Sequence, residues 1–212
     1  MKYLLLLCFL YCGNVKSQSN YSINYRQVIY YENRESSKIN GKLVYNDSLS
    51  FFYLIPLNKK KDKLAKFSIL GDKLIHHGVM FDKKKNEILE EVTFPENSYF
   101  VIVDSPKRAG WVLTEQSKNI LGYACKLAYR IDESNDTTMV WYTGVIGTGF
   151  GPAYYFGLPG IVLEALDQRF HLQIVAEKIE STSVTLMLPQ NVERIPIDKY
   201  RKQKAATINE KN

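Results

Sequence analysis

Ile23-Asn24-Tyr25-Arg26-Gln27-Val28-Ile29-Tyr30-Tyr31 is the stretch on which the fold class turns. Ile23, Tyr25, Gln27, Ile29 and Tyr31 alternate with Asn24, Arg26, Val28 and Tyr30, the two-residue period of a strand whose successive side chains point to opposite faces. Tyrosine and isoleucine suit that pleated surface. Similar character recurs at 42–45, 48–55, 73–81, 87–94, 99–104, 110–115, 122–131, 138–143, 161–166, 169–179 and 184–188. Turn chemistry separates the runs, at Asn46-Asp47, Asp82-Lys83-Lys84-Lys85-Asn86, Glu133-Ser134-Asn135-Asp136 and Asp167-Gln168. Strands joined by such short turns form antiparallel meanders, because a parallel pair needs a long crossover. The expectation is a mainly β domain. Helix is confined to a capped stretch at 198–206, and 56–66 reads as a loop or one helical turn.

The ends bound this domain. Behind Met1-Lys2 runs an apolar segment, 3–12, too short for the roughly 20 residues that span a bilayer. With a basic start and a small residue at Ser17, two after Val15, it reads as a secretory signal peptide, 1–17. Cleavage after Ser17 leaves 195 residues, a single β-rich domain over 18–200 and a polar tail over 201–212. A chain of that size buries roughly 70% of its unfolded surface. No later stretch approaches membrane length, and 45% apolar with 13% aromatic residues excludes disorder. After cleavage, 26 basic residues face 22 acidic ones. The excess sits in Lys59, Lys60, Lys61, Lys63 and Lys66, then in Lys83, Lys84 and Lys85. These read as solvated loops, since no aromatics interleave for base stacking, and a nucleic-acid partner is not expected. Cys8 and Cys12 fall in the signal, and the bulky Leu6-Leu7 and Leu10-Tyr11 before them disfavour a lipid anchor. Cys125 then stands alone, without an internal disulfide.

No group of residues has the form of a catalytic constellation. Gly147-Thr148-Gly149-Phe150-Gly151 lacks the Gly-Lys-Ser/Thr ending of a phosphate loop and the G-x-G-x-x-G spacing of a dinucleotide site. Cys125 shares a strand face with Tyr123, Leu127, Tyr129 and Ile131, opposite Lys126, Arg130 and Asp132. An apolar face keeps a thiol protonated and inert. His76 and His77 point to opposite faces of a strand, as do Glu90 and Glu91, while His171 joins Arg169 and Gln173 on a polar face. No metal or cofactor site is expected. The unusual stretch is 144–160, with six of the twelve glycines plus Pro152 and Pro159. A loop this long inside one domain is commonly functional or braces the structure.

Five elements in order carry a resemblance. They are Trp111-Val112-Leu113; Ile120-Leu121-Gly122-Tyr123-Ala124-Cys125-Lys126-Leu127-Ala128; Trp141-Tyr142-Thr143; Gly151-Pro152; and Gly157-Leu158-Pro159-Gly160-Ile161-Val162-Leu163-Glu164. This run resembles the GLPGLI family of small exported proteins of Gram-negative bacteria, departing only at Ile161-Val162, where apolar character is kept. A related module is the bowl-shaped N-terminal domain of one type of bacterial peptide-N-glycosidase. The order of strands is also similar to that of periplasmic lipoprotein carriers, curved half-barrels that hold an acyl chain. The resemblance implies a single strongly curved antiparallel sheet, half-barrel or bowl-like, and supplies no catalytic residues. Trp111, Gly122, Tyr123, Cys125, Trp141, Tyr142, Gly151, Pro152, Gly157, Leu158, Pro159 and Gly160 are the motif positions, structural or docking. Gly122 is expected to let its strand pack closely or bulge at Tyr123. Leu158 is expected to drop inward.

The functional expectation is an exported, non-enzymatic binding or interaction protein of the bacterial envelope, in the periplasm or at the outer membrane rather than outside the cell. Its partner is an envelope protein. The alternative is a periplasmic carrier of an apolar, lipid-like ligand held in the concave sheet.

Overall fold

The stretch that begins at Ile23 lies in β1 (Asn20–Tyr31), whose pairing shifts register at Asn24/Tyr25 and at Ile29/Tyr30, and eleven further strands join it in one sheet. They are β2 (Arg34–Tyr45), β3 (Leu49–Ile55), β4 (His76–Asp82), β5 (Glu87–Thr93), β6 (Tyr99–Asp104), β7 (Val112–Ile120), β8 (Tyr123–Ile131), β9 (Thr137–Thr143), β10 (Ile161–Asp167), β11 (Leu172–Thr182) and β12 (Glu193–Pro196). The computed structural model describes residues 20–31, 34–55, 76–93, 99–104, 110–147, 149–188 and 193–202. The lysine-rich stretch 59–66 and the loop-or-helix reading of 56–66 lie outside these residues, as do the signal-peptide reading of 1–17 and most of the 201–212 tail.

The sheet order is β12-β6-β5-β4-β3-β2-β1-β11-β10-β9-β8-β7, and the sheet is open rather than closed. Two meanders, β1–β6 and β7–β11, meet where β1 pairs with β11 in antiparallel register, Ile23 opposite Ile179 and Gln27 opposite Ile174. All neighbours are antiparallel except β12, which adds to β6 in parallel, Ile195 opposite Ile102. That strand is too short and polar to show a period in the sequence. The 184–188 run, expected as a strand, is not one. It straps the outer face, where Leu186 is buried with Val44, Phe51, Met80 and Leu89, which face one another across β2, β3, β4 and β5.

Other boundaries shift for local reasons. β2 begins eight residues before the expected 42, because its polar first half pairs with β1 without presenting an apolar face. β7 runs on to Ile120. Residues 169–171 form a turn rather than strand, with His171 exposed at φ 47°. Gly122 does not bulge β8. With Leu121 (φ 52°) it makes the two-residue turn between β7 and β8, at φ 86°, the twist such hairpins favour. A helical turn occupies 197–202, and among the described residues no helix is long and apolar enough to cross a membrane.

The opposite, inner face carries the main core: Ile23, Tyr25, Leu43, Phe52, Val79 and Phe81 from one meander, and Ala128, Val140, Tyr142, Ala165 and Ile174 from the other. Over this face folds the glycine-rich stretch between β9 and β10, contributing Phe150, Tyr155, Phe156 and Leu158, all under 8% exposed. Phe81 stacks on Phe156 at 4.6 Å and meets Phe150 edge-on at 6.0 Å. Backbone bonds tie the loop to itself and to the next strand: Gly149 N donates to Gly160 O (3.2 Å), Gly157 N to Gly149 O (3.1 Å) and Val162 N to Phe150 O (3.0 Å). The Tyr45 hydroxyl ties it to the sheet by donating to Ile146 O at 2.8 Å, and the Tyr25 hydroxyl donates to Val162 O, in β10 just past the loop, at 2.6 Å.

A candidate binding cleft on the inner face

Beside the loop the inner face leaves a cleft of about 270 Å³. Its floor is Phe52, Leu54, Val79, Leu172 and Ile174; Gln27, Glu90, Arg130, Tyr154, Tyr155 and Asp167 supply polarity, and Phe170 stands at the rim. β5, which brings Glu90, and β8, which brings Arg130, are eight positions apart in the sheet order. On a flat sheet that would be roughly 38 Å. Residues so distant line one cleft only because the sheet curls into a trough.

Register decides which side chains enter. Val79 lies opposite Glu90, so Glu90 shares the inner face with Phe52 and Val79. On the other wall Arg130 is opposite Thr138, Thr138 opposite Asp167, and Asp167 opposite Leu172. These four form one cross-strand row. Asp167 is 4% exposed and fully engaged: Oδ2 accepts from Thr138 Oγ1 (3.2 Å) and Tyr155 OH (3.0 Å), Oδ1 from Phe170 N (3.3 Å). Burial, and then the Asp167 carboxylate, push the Tyr155 hydroxyl pKa far above its usual range, so it stays a donor. The turn at Pro152–Tyr155, closed by Tyr155 N to Pro152 O at 3.1 Å, carries Ala153 at φ 49°. It delivers Tyr154 OH to Glu90 Oε2 at 2.6 Å. Burial and the Glu90 bond likewise raise the Tyr154 pKa.

Arg130 is held differently. Its guanidinium lies over Trp111 at 4.7 Å and near Tyr155 at 6.0 Å, the stacking arginine favours. Trp111 is itself anchored, Nε1 donating to Phe156 O at 3.0 Å. Among the described residues Arg130 has no hydrogen-bond or ion-pair partner.

The motif positions divide into two groups. Trp111, Tyr142, Gly151, Pro152, Gly157, Leu158, Pro159 and Gly160 build or brace the loop; Leu158 is 4% exposed, while Gly157 and Pro159 are at the surface. Gly122, Tyr123, Cys125 and Trp141 lie away from the cleft. Lys118 covers the Trp141 ring at 4.5 Å and pairs with Glu164 at 2.5 Å. Cys125 is fully buried, and that burial raises its thiol pKa. Ile131, expected on the same apolar face, ends its strand 59% exposed. Of the histidines, His76 and His77 open β4, with side chains outside the described set. Among the described residues no three potential metal ligands converge. Glu90, Arg130, Tyr154, Tyr155 and Asp167 went unselected by sequence: Arg130 reads as a solvent-facing residue and Asp167 as a turn former.

Comparison with known proteins places this architecture. Two solved structures of PNGF-II, in C2 and P21 crystal forms, match with TM-scores of 0.64 and 0.65 at 20% identity. Each match covers 87% of this chain and 32% of the PNGF-II chain, so this chain corresponds to about a third of that protein. A search of curated proteins finds no match. The family described as N-glycanase peptide, N-terminal domain, matches residues 35–201, which takes in β3 to β12 and all of β2 but its first residue. The chain belongs to that N-terminal-domain family.

Proposed function

We propose that this chain is an exported, non-enzymatic binding or interaction module of the bacterial envelope, a GLPGLI-type protein acting in the periplasm or at the outer membrane. The observation that carries the reading is on the inner face: beside the loop aromatics lies a rimmed cleft, with Phe170 60% and Tyr154 43% exposed at it. Partly exposed aromatics around a cleft are the usual anchors of recognition surfaces. Kinship with a domain that forms the N-terminal part of a larger protein supports a recognition role. A lipid carrier is less well supported, because about 270 Å³ falls below the roughly 300–1,000 Å³ of ordinary ligand pockets.

The test is affinity capture from the periplasm, with proteins and lipids both identified by mass spectrometry. A partner retained by the unaltered chain and lost by Phe170→Ser supports the module. Co-purified lipid with no protein partner overturns it in favour of the carrier. Intact mass of the exported chain should show a start at Gln18 without lipid; a diacylglyceryl mass on Cys8 or Cys12 refutes the unanchored reading.

A further inference from the structure

We infer that the cleft is a receptor for a small carboxylate with an apolar body, with Arg130 binding the carboxylate and Phe52, Leu54, Val79 and Ile174 receiving the body. This rests on the binding-module reading and names its ligand class. The clamp around Arg130 is the starting point. The guanidinium carbon lies 4.7 Å from the Trp111 ring centre and 6.0 Å from that of Tyr155, each ring is fixed by its own hydrogen bond, and the N–H groups have no acceptor among the described residues. A planar fork of five donors held in this way matches a planar carboxylate, two parallel N–H···O bonds at once.

The protein's own carboxylates do not occupy that fork. Asp167 stands two strands away with Thr138 between, and both its oxygens accept from Thr138, Tyr155 and Phe170. Glu90 lies on the far wall, where it accepts from Tyr154. The cleft holds one cation and two carboxylates; both carboxylates are hydrogen-bonded elsewhere, and the Arg130 guanidinium is left without an acceptor beside an apolar floor. A half-buried guanidinium with free N–H donors beside apolar side chains suits an anion whose remainder is apolar. The volume admits one ring or a short chain rather than a long acyl tail. The carboxylate can belong to a free organic acid or to a peptide C-terminus ending in an apolar residue.

The experiment titrates the purified full chain with phenylacetate and with phenylacetamide, by calorimetry and by tryptophan emission in a Trp141→Phe background, where Trp111 beside Arg130 is the remaining tryptophan. N-acetyl-alanyl-phenylalanine and its C-terminal amide form the second pair. The expected result is saturable binding of at least one acid, with its amide weaker by roughly tenfold or more, the loss of a charge-assisted pair. Whichever acid binds more tightly identifies the source. Arg130→Met, which keeps the stem and removes the fork, should erase the acid–amide difference, and Arg130→Lys should restore only part of it. Equal binding of acid and amide, or no saturable binding by any probe, overturns the inference. By calorimetry this comparison needs only the unaltered chain, so a variant that fails to fold does not blunt it. If capture still retrieves a partner while all four probes fail, the module reading stands and the carboxylate site falls.

Discussion

A methyl group added at Gly160 or Gly151 should unfold the loop from the sheet, and the structure gives the size of the effect. At Gly160 a Cβ would lie 2.5 Å from Thr143 O and 2.7 Å from Tyr142 Cδ2. At Gly151 it would lie 1.9 Å from Tyr155 O and 2.9 Å from Val162 Cβ. Both obstacles are mainly backbone, which cannot swing aside as a flexible side chain would. Overpacking costs about 1–3 kcal/mol, and contact with backbone belongs at the upper end. For a domain of this size each kcal/mol lowers Tm by about 2–4 °C. Gly160→Ala and Gly151→Ala should therefore each melt about 6–12 °C lower. Gly157 differs: a Cβ meets nothing within 4 Å, but φ is 86°. Gly157→Ala should cost only the left-handed penalty of about 1–2 kcal/mol. Gly110, with open space and no such φ, is the control. Differential scanning calorimetry of the four variants should rank Gly110, then Gly157, then Gly160 and Gly151 as increasingly destabilised. If Gly160→Ala and Gly151→Ala melt with Gly110→Ala, the loop does not brace the sheet and the packing argument fails.

Three further outcomes are expected. Cys125→Ala should cost only about 1 kcal/mol in urea unfolding, and iodoacetamide should label the native thiol slowly at pH 7, because burial raises its pKa; fast labelling at neutral pH contradicts this. Tyr155→Phe removes one donor from the buried Asp167 carboxylate and should cost about 1–3 kcal/mol, whereas a stability unchanged from wild type would show that the bond contributes nothing. Alkaline pH should unfold the protein sharply. Tyr25, Tyr45 and Tyr155 are under 5% exposed and have pKa values raised above the unfolded one, chiefly by burial. Their stabilisation is complete below about pH 10 and is lost above it at about 1.4 kcal/mol per pH unit each. Tyrosine ionisation, followed by ultraviolet absorbance, should coincide with loss of structure by circular dichroism; ionisation of all the tyrosines in a still-folded chain refutes the assignment.

The alternation of Ile23–Tyr31 and of most later strands was legible because a half-buried strand writes a two-residue period into its own sequence. The hairpin turns were legible too: Asn46 and Asp82 each accept two backbone N–H groups just ahead of them, local chemistry that needs no tertiary partner. Where a segment is polar along its length or pairs only at an edge, that signal vanishes, as in the first half of β2 and in β12. Residues 184–188 show the reverse case, an apolar run that covers a sheet face instead of joining the sheet. The sequence by itself thus determined a mainly β chain of hairpins and the importance of the glycine-rich loop. Only the tertiary structure decided that β1 closes against β11, that the sheet curls until Glu90 faces Arg130 across one cleft, and that Arg130, Thr138 and Asp167 stand in one row. The physical reason is that periodicity reports which way a side chain points from its own strand, while register and curvature depend on partners far away in sequence.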